Sequence, residues 1–289
     1  MQLPVINITV IDIIKTMVEA FENDLGNISL YDYRRTILSH LSIIIPTLNE
    51  EKFLPNLLAS LAKQTRQDFE IVIVDGSSQD NTVAMAHSFE PIFPKLQVCV
   101  SKTANVSFQR NLGAMATKGE WLVFIDADSI LLPYFIERIE CFILEHNPDI
   151  FTSWFRSDSE ISGDAFFTLI ANMFVESSII FNRPIAPGPL TVVRRELFEM
   201  VGGYNEKLTF GEDYELTQKI SARGIALKIL RETIYVFSLR RVRRDGKFRF
   251  MWLYAKAALL VLFTRRNLKE VPSYVMGGQR YETDQNETG

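Results

Sequence analysis

Residues 71–82 read IVIVDGSSQDNT. The run Ile71–Val74 is short, apolar and β-branched, and turn residues follow it, which is the pattern of a strand covered on both faces. Asp75 stands where that strand ends. Gly76 permits a tight turn or a close backbone approach, and Ser78, Asp80 and Asn81 are residue types that start helices. Outward from this stretch the same alternation recurs. Ser42–Ile45, Glu70–Val74, Gln97–Val100 and Trp121–Ile125 read as strands; Glu50–Gln64, Asn81–Phe89 and Val106–Thr117 read as helices. Such alternation predicts an α/β domain, a mostly parallel sheet flanked by helices. In such sheets ligands bind at the carboxyl ends of the strands.

Length and composition bound the alternatives. A chain of 289 residues, 47% hydrophobic and 23% charged, has room for one large domain or two small ones. The formal net charge of -4 gives no overall pull toward nucleic acid, and no nucleic-acid partner is expected. Cys99 and Cys141 lie far apart, which implies no disulfide framework and fits a reducing cytosol. No basic segment followed by a continuous apolar stretch opens the chain, so no signal peptide is expected. No segment reads as reaching the roughly 20 apolar residues that cross a bilayer. The nearest approach is Met251–Phe263, which carries Lys256. A cytoplasmic location is expected, with peripheral contact to the inner face of the membrane left open.

Three regions follow from the pattern. Residues 1–40 read as an N-terminal helical extension, with Val10, Ile13, Ile14, Met17, Val18 and Phe21 at helical spacing behind a capping box of Thr9 and Asp12. Residues 41–240 hold the α/β domain. Residues 241–289 form a basic and apolar C-terminal segment. Its basic run opens with Arg240, Arg241, Arg243 and Arg244 and continues to Lys247 and Arg249. This reads either as a solvated, mobile stretch, or as a flexible clamp over a diphosphate ligand or a contact for anionic lipid. Phe250–Arg266 fits an amphipathic helix, lying on a membrane or packed on the core, and Val271–Gly289 is a polar tail.

The residues at the strand ends carry the chemistry. Asp126 and Asp128, two apart beyond the strand Trp121–Ile125, can both reach one hard divalent cation, Mg²⁺ or Mn²⁺; the plainer reading is that Asp128 closes a turn. Asp75 can accept hydrogen bonds from a base or ribose. Arg110 suits a phosphate or ribose, and equally a solvated surface. Glu212 and Asp213 open a helix after Gly211, where carboxylates complement the macrodipole; one of them can also serve as general base. The three histidines, His40, His87 and His146, stand beside none of these clusters, so Ser-His-Asp chemistry has no support and a carboxylate is the available base.

Taken in order, SIIIPTLNEE (42–51), IVIVDGSSQDNT (71–82), QRNLGA (109–114), WLVFIDADS (121–129) and GGYNEKLTFGEDYEL (202–216) resemble the family 2 glycosyltransferases. The resemblance covers about residues 41–240. It implies the GT-A fold, a nucleotide-sugar donor, a divalent cation and a glycan or lipid-linked acceptor. It also implies inverting, non-processive transfer. Position by position it implies that Pro46, Thr47 and Glu50 line the nucleoside pocket, that Asp75 bonds the base and that Arg110 lies near the nucleotide. Asp126 would meet the ribose or metal-bound water, Asp128 would ligate the metal, Asp213 would be the catalytic base, and Glu212 would support it. Phe166–Phe181 would fall on the acceptor side, with a helix packed on the core as its ordinary reading, and Pro187–Gly188–Pro189 would shape the acceptor rim. Two departures stand out. Gly76 replaces a frequent second aspartate, and Tyr235–Arg240 contains no histidine to complete a metal shell.

The competing readings lack their own signatures. A sugar nucleotidyltransferase wants a glycine-rich basic loop after the first strand, whereas Pro46–Glu51 is acidic and free of glycine. A nicotinamide enzyme wants G-x-G-x-x-G there. A donor-binding module without turnover has no need of a base such as Asp213.

Overall fold

A computed structural model describes residues 41–159, 161–208, 210–240 and 243; the expectations for residues 1–40 and for Phe250–Arg266 lie outside the described residues. All described residues belong to the compact unit that begins at His40.

Eight described strands form one sheet. They are β1 (Leu41–Thr47), β2 (Phe69–Asp75), β3 (Leu96–Val100), β4 (Trp121–Ile125), β5 (Ser129–Leu131), β6 (Ile150–Ser157), β7 (Leu190–Arg194) and β8 (Lys228–Phe237). Their order across the sheet is β3-β2-β1-β4-β7-β6-β8-β5. The half built from β3, β2, β1 and β4 is wholly parallel, as the apolar runs predict. The other half is mixed, because β7 runs antiparallel to both β4 and β6 and β5 runs antiparallel to β8, while β6 and β8 are parallel. The helices α1 (Leu54–Ala62), α2 (Thr82–His87), α3 (Val106–Ala116), α4 (Phe135–His146), α5 (Ser162–Ile180), α6 (Arg195–Met200) and α7 (Glu212–Ser221) connect and cover the sheet.

The first helix starts four residues later than its sequence pattern implies, since Pro55 sits in its first turn and proline is favoured there rather than deeper in a helix. Ile43, Ile44, Ile45, Val72, Ile73, Val74, Leu122, Val123 and Phe124 are fully buried, so the central strands are covered on both faces and hydrophobic burial fixes their register. That register sets Thr47 opposite Asp75. The chain runs from β1 outward to β2 and β3 and then returns to β4 on the other side of β1, so the strand order reverses there, and the carboxyl ends of these strands flank the crevice where such a sheet takes its ligands.

Two expectations change. α5 is 19 residues long and apolar enough, by length and composition, to cross a membrane, but only 22% buried. A described segment thus does reach that length, and it is not the core-packed helix its apolar sequence implies. Cys99 and Cys141 are free thiols, as expected.

α3 lies against β1 and β2 at Gly113, where a Cβ would stand 2.4 Å from Ile44 Cγ2 and 3.2 Å from Val72 Cγ1. Glycine-to-alanine inside an exposed helix gains about 1 kcal/mol. Here the sign reverses, because the neighbours are methyl groups of a close-packed core. Gly113→Ala is expected to lower stability by about 1–3 kcal/mol, read as a lower urea midpoint with an unchanged slope.

Candidate active site

The stretch Gln109–Arg110–Asn111 lies in α3, whose first turn Asn105 caps by accepting from the Phe108 amide. Each of the three side chains ties α3 to a different part of the molecule. Gln109 donates to the carbonyls of Thr47 and Val74 (2.8 and 2.6 Å), joining the ends of β1 and β2. Asn111 holds the backbone of Tyr204, accepting from its N–H and donating to its carbonyl, both at 2.9 Å. Between them, Arg110 is 2% exposed.

A buried guanidinium needs anions and acceptors around it, and Arg110 has them. It pairs with Glu212 Oε1 and Asp126 Oδ1, each at 3.0 Å, and donates to the Gly188 carbonyl at 3.0 Å. Its carbon lies 5.2 Å from the Tyr204 ring centroid. The solvated-surface reading of this arginine is therefore corrected; it is the hub that brings the β4 end to the start of α7. Gly188 has the second link, since its N–H donates to Asp213 Oδ2 at 2.9 Å. A Cβ at Gly188 would come within 3.2 Å of the Arg110 guanidinium, so the sequence Pro187–Gly188–Pro189 serves this approach.

Asp213 sits at the start of α7, where Gly211 in the left-handed region (φ 76°) turns the chain into the helix. Its Oδ1 accepts from the Tyr214 N–H at 2.7 Å. Burial raises its pKa first and the negative charge of Glu212 raises it further. The Tyr214 and Gly188 amides and Arg110 pull the other way, and the balance lies at about 7. A carboxyl poised there can both take and release a proton near neutrality.

The other expected residues lie along the same rim. Asp75 is fully buried and accepts from Thr47 Oγ1 (3.0 Å), the Ser78 N–H (2.8 Å) and Ser78 Oγ. Asp75 and Thr47 thus bond each other, and Pro46 is a buried β1 residue paired with Val74. Ser78 and Asp80 do local work as expected: Asp80 accepts from the Thr82 N–H at the start of α2. Glu50 and Asp128 are joined by Arg240, whose Nη2 lies 2.7 Å from Glu50 Oε1 and 3.0 Å from Asp128 Oδ2. Its guanidinium carbon is 4.1 Å from the Phe53 ring centroid. Arg243 pairs with Asp158 and Asp164. The solvated reading of the basic run is thus corrected for Arg240, while Arg243 is paired yet remains exposed.

The structure assembles Asp126, Glu212, Asp213 and Arg110 into one set, and Glu50, Asp128 and Arg240 into a second. Asp126 and Asp128 belong to the same β4–β5 turn. Sequence reasoning missed Tyr204 and the pairing of Arg240, because a ring stacked on a distant guanidinium leaves no spacing signal. No group of three or more His, Cys, Asp or Glu side chains among the described residues is arranged to hold a metal alone.

Comparison with known proteins follows this geometry. The profile of the family described as Glycosyl transferase family 2 matches residues 42–202. An uncharacterized glycosyltransferase of Haemophilus influenzae is 30% identical over 62% of this chain and 61% of its own length. A PGL/p-HBAD biosynthesis glycosyltransferase of Mycobacterium tuberculosis is 33% identical over 60% of this chain and 66% of its own length. The chain therefore spans just under two thirds of the length of these relatives. Among solved structures, a mannosyltransferase of Pyrobaculum calidifontis in complex with GDP-Man and Mn²⁺ superposes with a TM-score of 0.61 at 19% identity, covering 88% of this chain and 76% of that one. S. aureus TarS in complex with UDP-GlcNAc gives 0.59 at 24% identity, covering 70% of this chain and 59% of that one. The fold is thus a GT-A-like sheet flanked by helices.

Removing the hub leaves anions buried without a partner. Arg110→Met is expected to cost about 3–5 kcal/mol of stability. The loss should shrink in the double variant Arg110→Met, Glu212→Gln, measured by chemical denaturation of the four members of the cycle.

Proposed function

The chain belongs to glycosyl transferase family 2, and on that premise we propose that it moves a sugar from a nucleotide-sugar donor to an acceptor hydroxyl on a glycan or lipid-linked chain. The displacement is single and inverting. The bond from the acceptor oxygen to the anomeric carbon forms as the bond from that carbon to the donor's phosphate oxygen breaks. The hydroxyl proton passes to Asp213, and the nucleoside diphosphate leaves with the bonding electron pair.

One observation carries this reading: a carboxyl raised to about 7 beside a buried arginine that reaches the β4–β5 turn. Within this scheme Asp213 is the base, and its orientation is fixed by the Gly188 and Tyr214 amides. Glu212 raises the proton affinity of Asp213 and is itself held by Arg110. Arg110 keeps Asp126 at the rim. Thr47 and Asp75, already bonded to each other, form the floor on which the nucleoside rests, with Pro46 and Glu50 beside them.

The oxygen donors of the β4–β5 turn fit a hard divalent cation. Asp128, with Asp126, would hold Mg²⁺ or Mn²⁺, which would supply charge neutralisation for the departing diphosphate. The Mn²⁺ and nucleotide sugars bound by the two structural relatives support ligands of this class. Asp128 is already paired with Arg240, so that pair and a cation at Asp128 are alternatives.

Four outcomes test the scheme. Asp213→Asn should lower transfer by about 10²–10⁴-fold while donor binding by calorimetry survives; near-normal turnover removes Asp213 from the base role. In the parent, kcat/KM should rise with pH through about 7, because the base works ionised. The stability term runs the opposite way. A carboxyl whose folded pKa is raised contributes stability below the ordinary carboxylate range and loses it as pH rises through about 7. The thermal midpoint of the Asn variant should accordingly vary less over that window than the parent's. Arg240→Ala should tighten Mn²⁺ binding, read by the free-ion electron paramagnetic resonance signal; weaker or equal binding would show that Arg240 does not compete with the ion.

A further inference from the structure

α5 is an amphipathic helix turned inside out. Its buried residues are Asp164, Thr168, Val175 and Ser178. Phe166, Leu169, Ile170, Met173 and Ile180 are between 45% and 80% exposed, and their spacing places them along one stripe of the helix. A surface helix in water has the reverse arrangement, with its apolar stripe inward. Here polar side chains make the inward attachment. Asn172 donates to the Phe155 carbonyl at 2.9 Å and accepts from its N–H. Glu176 accepts from Trp154 Nε1 at 3.1 Å. Thr168 and Ser178 return their hydroxyls to carbonyls one turn back. The helix is held to β6 by hydrogen bonds, and its apolar stripe is left for another partner.

The charges around the stripe identify that partner. Arg231 pairs with Glu176 of α5, and the arginine is 66% exposed against 24% for the glutamate. Arg243 pairs with Asp164 of α5, at 35% against 0%. In both pairs the cation is the more exposed partner, and Arg243 is shared with Asp158, at 35% against 25%. An apolar stripe beside outward-facing arginines matches a bilayer surface with anionic headgroups. A span does not fit α5, because Asn172 and Glu176 tie it to β6 and the Asp164 carboxylate is buried beneath it.

We propose that α5 is a membrane-docking helix: Phe166, Leu169, Ile170, Met173 and Ile180 enter the headgroup–acyl boundary of an anionic bilayer, with Arg231 and Arg243 at the headgroups. The chain after α5 gives this surface a bearing on the active site. Pro184 accepts from Gln218 Nε2, and the Ala186 N–H donates to Thr217 Oγ1, so the segment from α5 to Gly188 is fastened to the helix that carries Asp213. Docking at α5 thus sets the catalytic end of the sheet beside the bilayer surface.

The test uses the full chain and vesicles of phosphatidylcholine alone or mixed with phosphatidylglycerol. The parent should float with the mixed vesicles and much less with the neutral ones. Phe166→Ser, Leu169→Ser, Met173→Ser combined should reduce the partition coefficient by at least about tenfold. Because these side chains face water, circular dichroism and donor binding should be unchanged. A nitroxide at Leu169→Cys, in a Cys99→Ser, Cys141→Ser background, should become accessible to oxygen and shielded from a water-soluble nickel chelate on vesicles. Three results overturn the proposal. The first is a parent that does not float. The second is a triple variant that floats like the parent, which assigns binding to another segment. The third is a label that stays water-accessible on vesicles, or one buried without lipid by a concentration-dependent dimer, which assigns the stripe to a second copy.

Discussion

A single buried cation, the Arg110 guanidinium, organises the site. Removing such a charge from water costs several kcal/mol unless anions and acceptors close around it. Here those partners come from widely separated parts of the chain: Asp126 after β4, the Gly188 carbonyl before β7, and Glu212 at the start of α7. Tyr204 supplies a ring face on the remaining side, and Asn111, one residue along α3, fixes that ring's backbone. The electrostatic need of one side chain therefore fixes where α7 begins relative to the sheet. Asp213, next to Glu212, is placed as a consequence. The parallel and mixed halves meet at β4 and β7, and this cluster lies at the end of that junction.

The rim near β1 and β2 works by a different principle. Its polar groups satisfy one another: Thr47 and Ser78 bond Asp75, Gln109 bonds two strand-end carbonyls, and the Gly76 N–H donates to the Thr47 carbonyl. Gly76 has no side chain to hold Ala104 and Gln109 away, and a Cβ there would stand 3.3 Å from each. A second carboxylate at this position would meet the same neighbours, so the departure at Gly76 goes with a more closely packed turn. A buried network that is complete is rigid, which suits a surface against which a flat base is to stack or bond.

The apolar runs made the parallel half legible in the sequence, because burial of β1, β2 and β4 on both faces leaves a continuous apolar signal; β3, at the sheet edge, is only partly covered. The strand-end residues Asp75, Asp126 and Asp128 were legible for the same reason, since a strand's end is visible where its apolar run stops. The mixed half was not. β6 and β8 are interrupted by a bulge between Ser153 and Phe155, and β5 spans Ser129–Leu131 alone, too short for a periodicity. Arg110 was singled out by its company in QRNLGA, but no local pattern separates a buried arginine from a solvated one; burial depends on who arrives from elsewhere. Arg240 and α5 failed in opposite directions. A basic run reads as solvated although two of its members are paired. An apolar helix reads as core although its large apolar side chains are exposed and hydrogen bonds tie its inner face to β6.

Under the proposed function, the two clusters together give a cation a place in the chemistry. Glu50, Asp126, Asp128, Glu212 and Asp213 are set against Arg110 and Arg240. Carboxylates outnumber guanidiniums, and the excess is expressed at Asp213, where the neighbouring Glu212 raises the proton affinity. Bringing a diphosphate to this rim adds negative charge, which a site already rich in carboxylates disfavours unless positive charge arrives with it. A divalent ion entering with the donor meets that requirement, and Arg240, displaced from Asp128, would be left with an anion nearby to replace the one it lost. In this account the arginine is a placeholder for the ion: it holds the carboxylates of Glu50 and Asp128 together while the site is empty of donor. Under that proposal, the charge balance, more than any single ligand atom, would couple ion entry to Arg240.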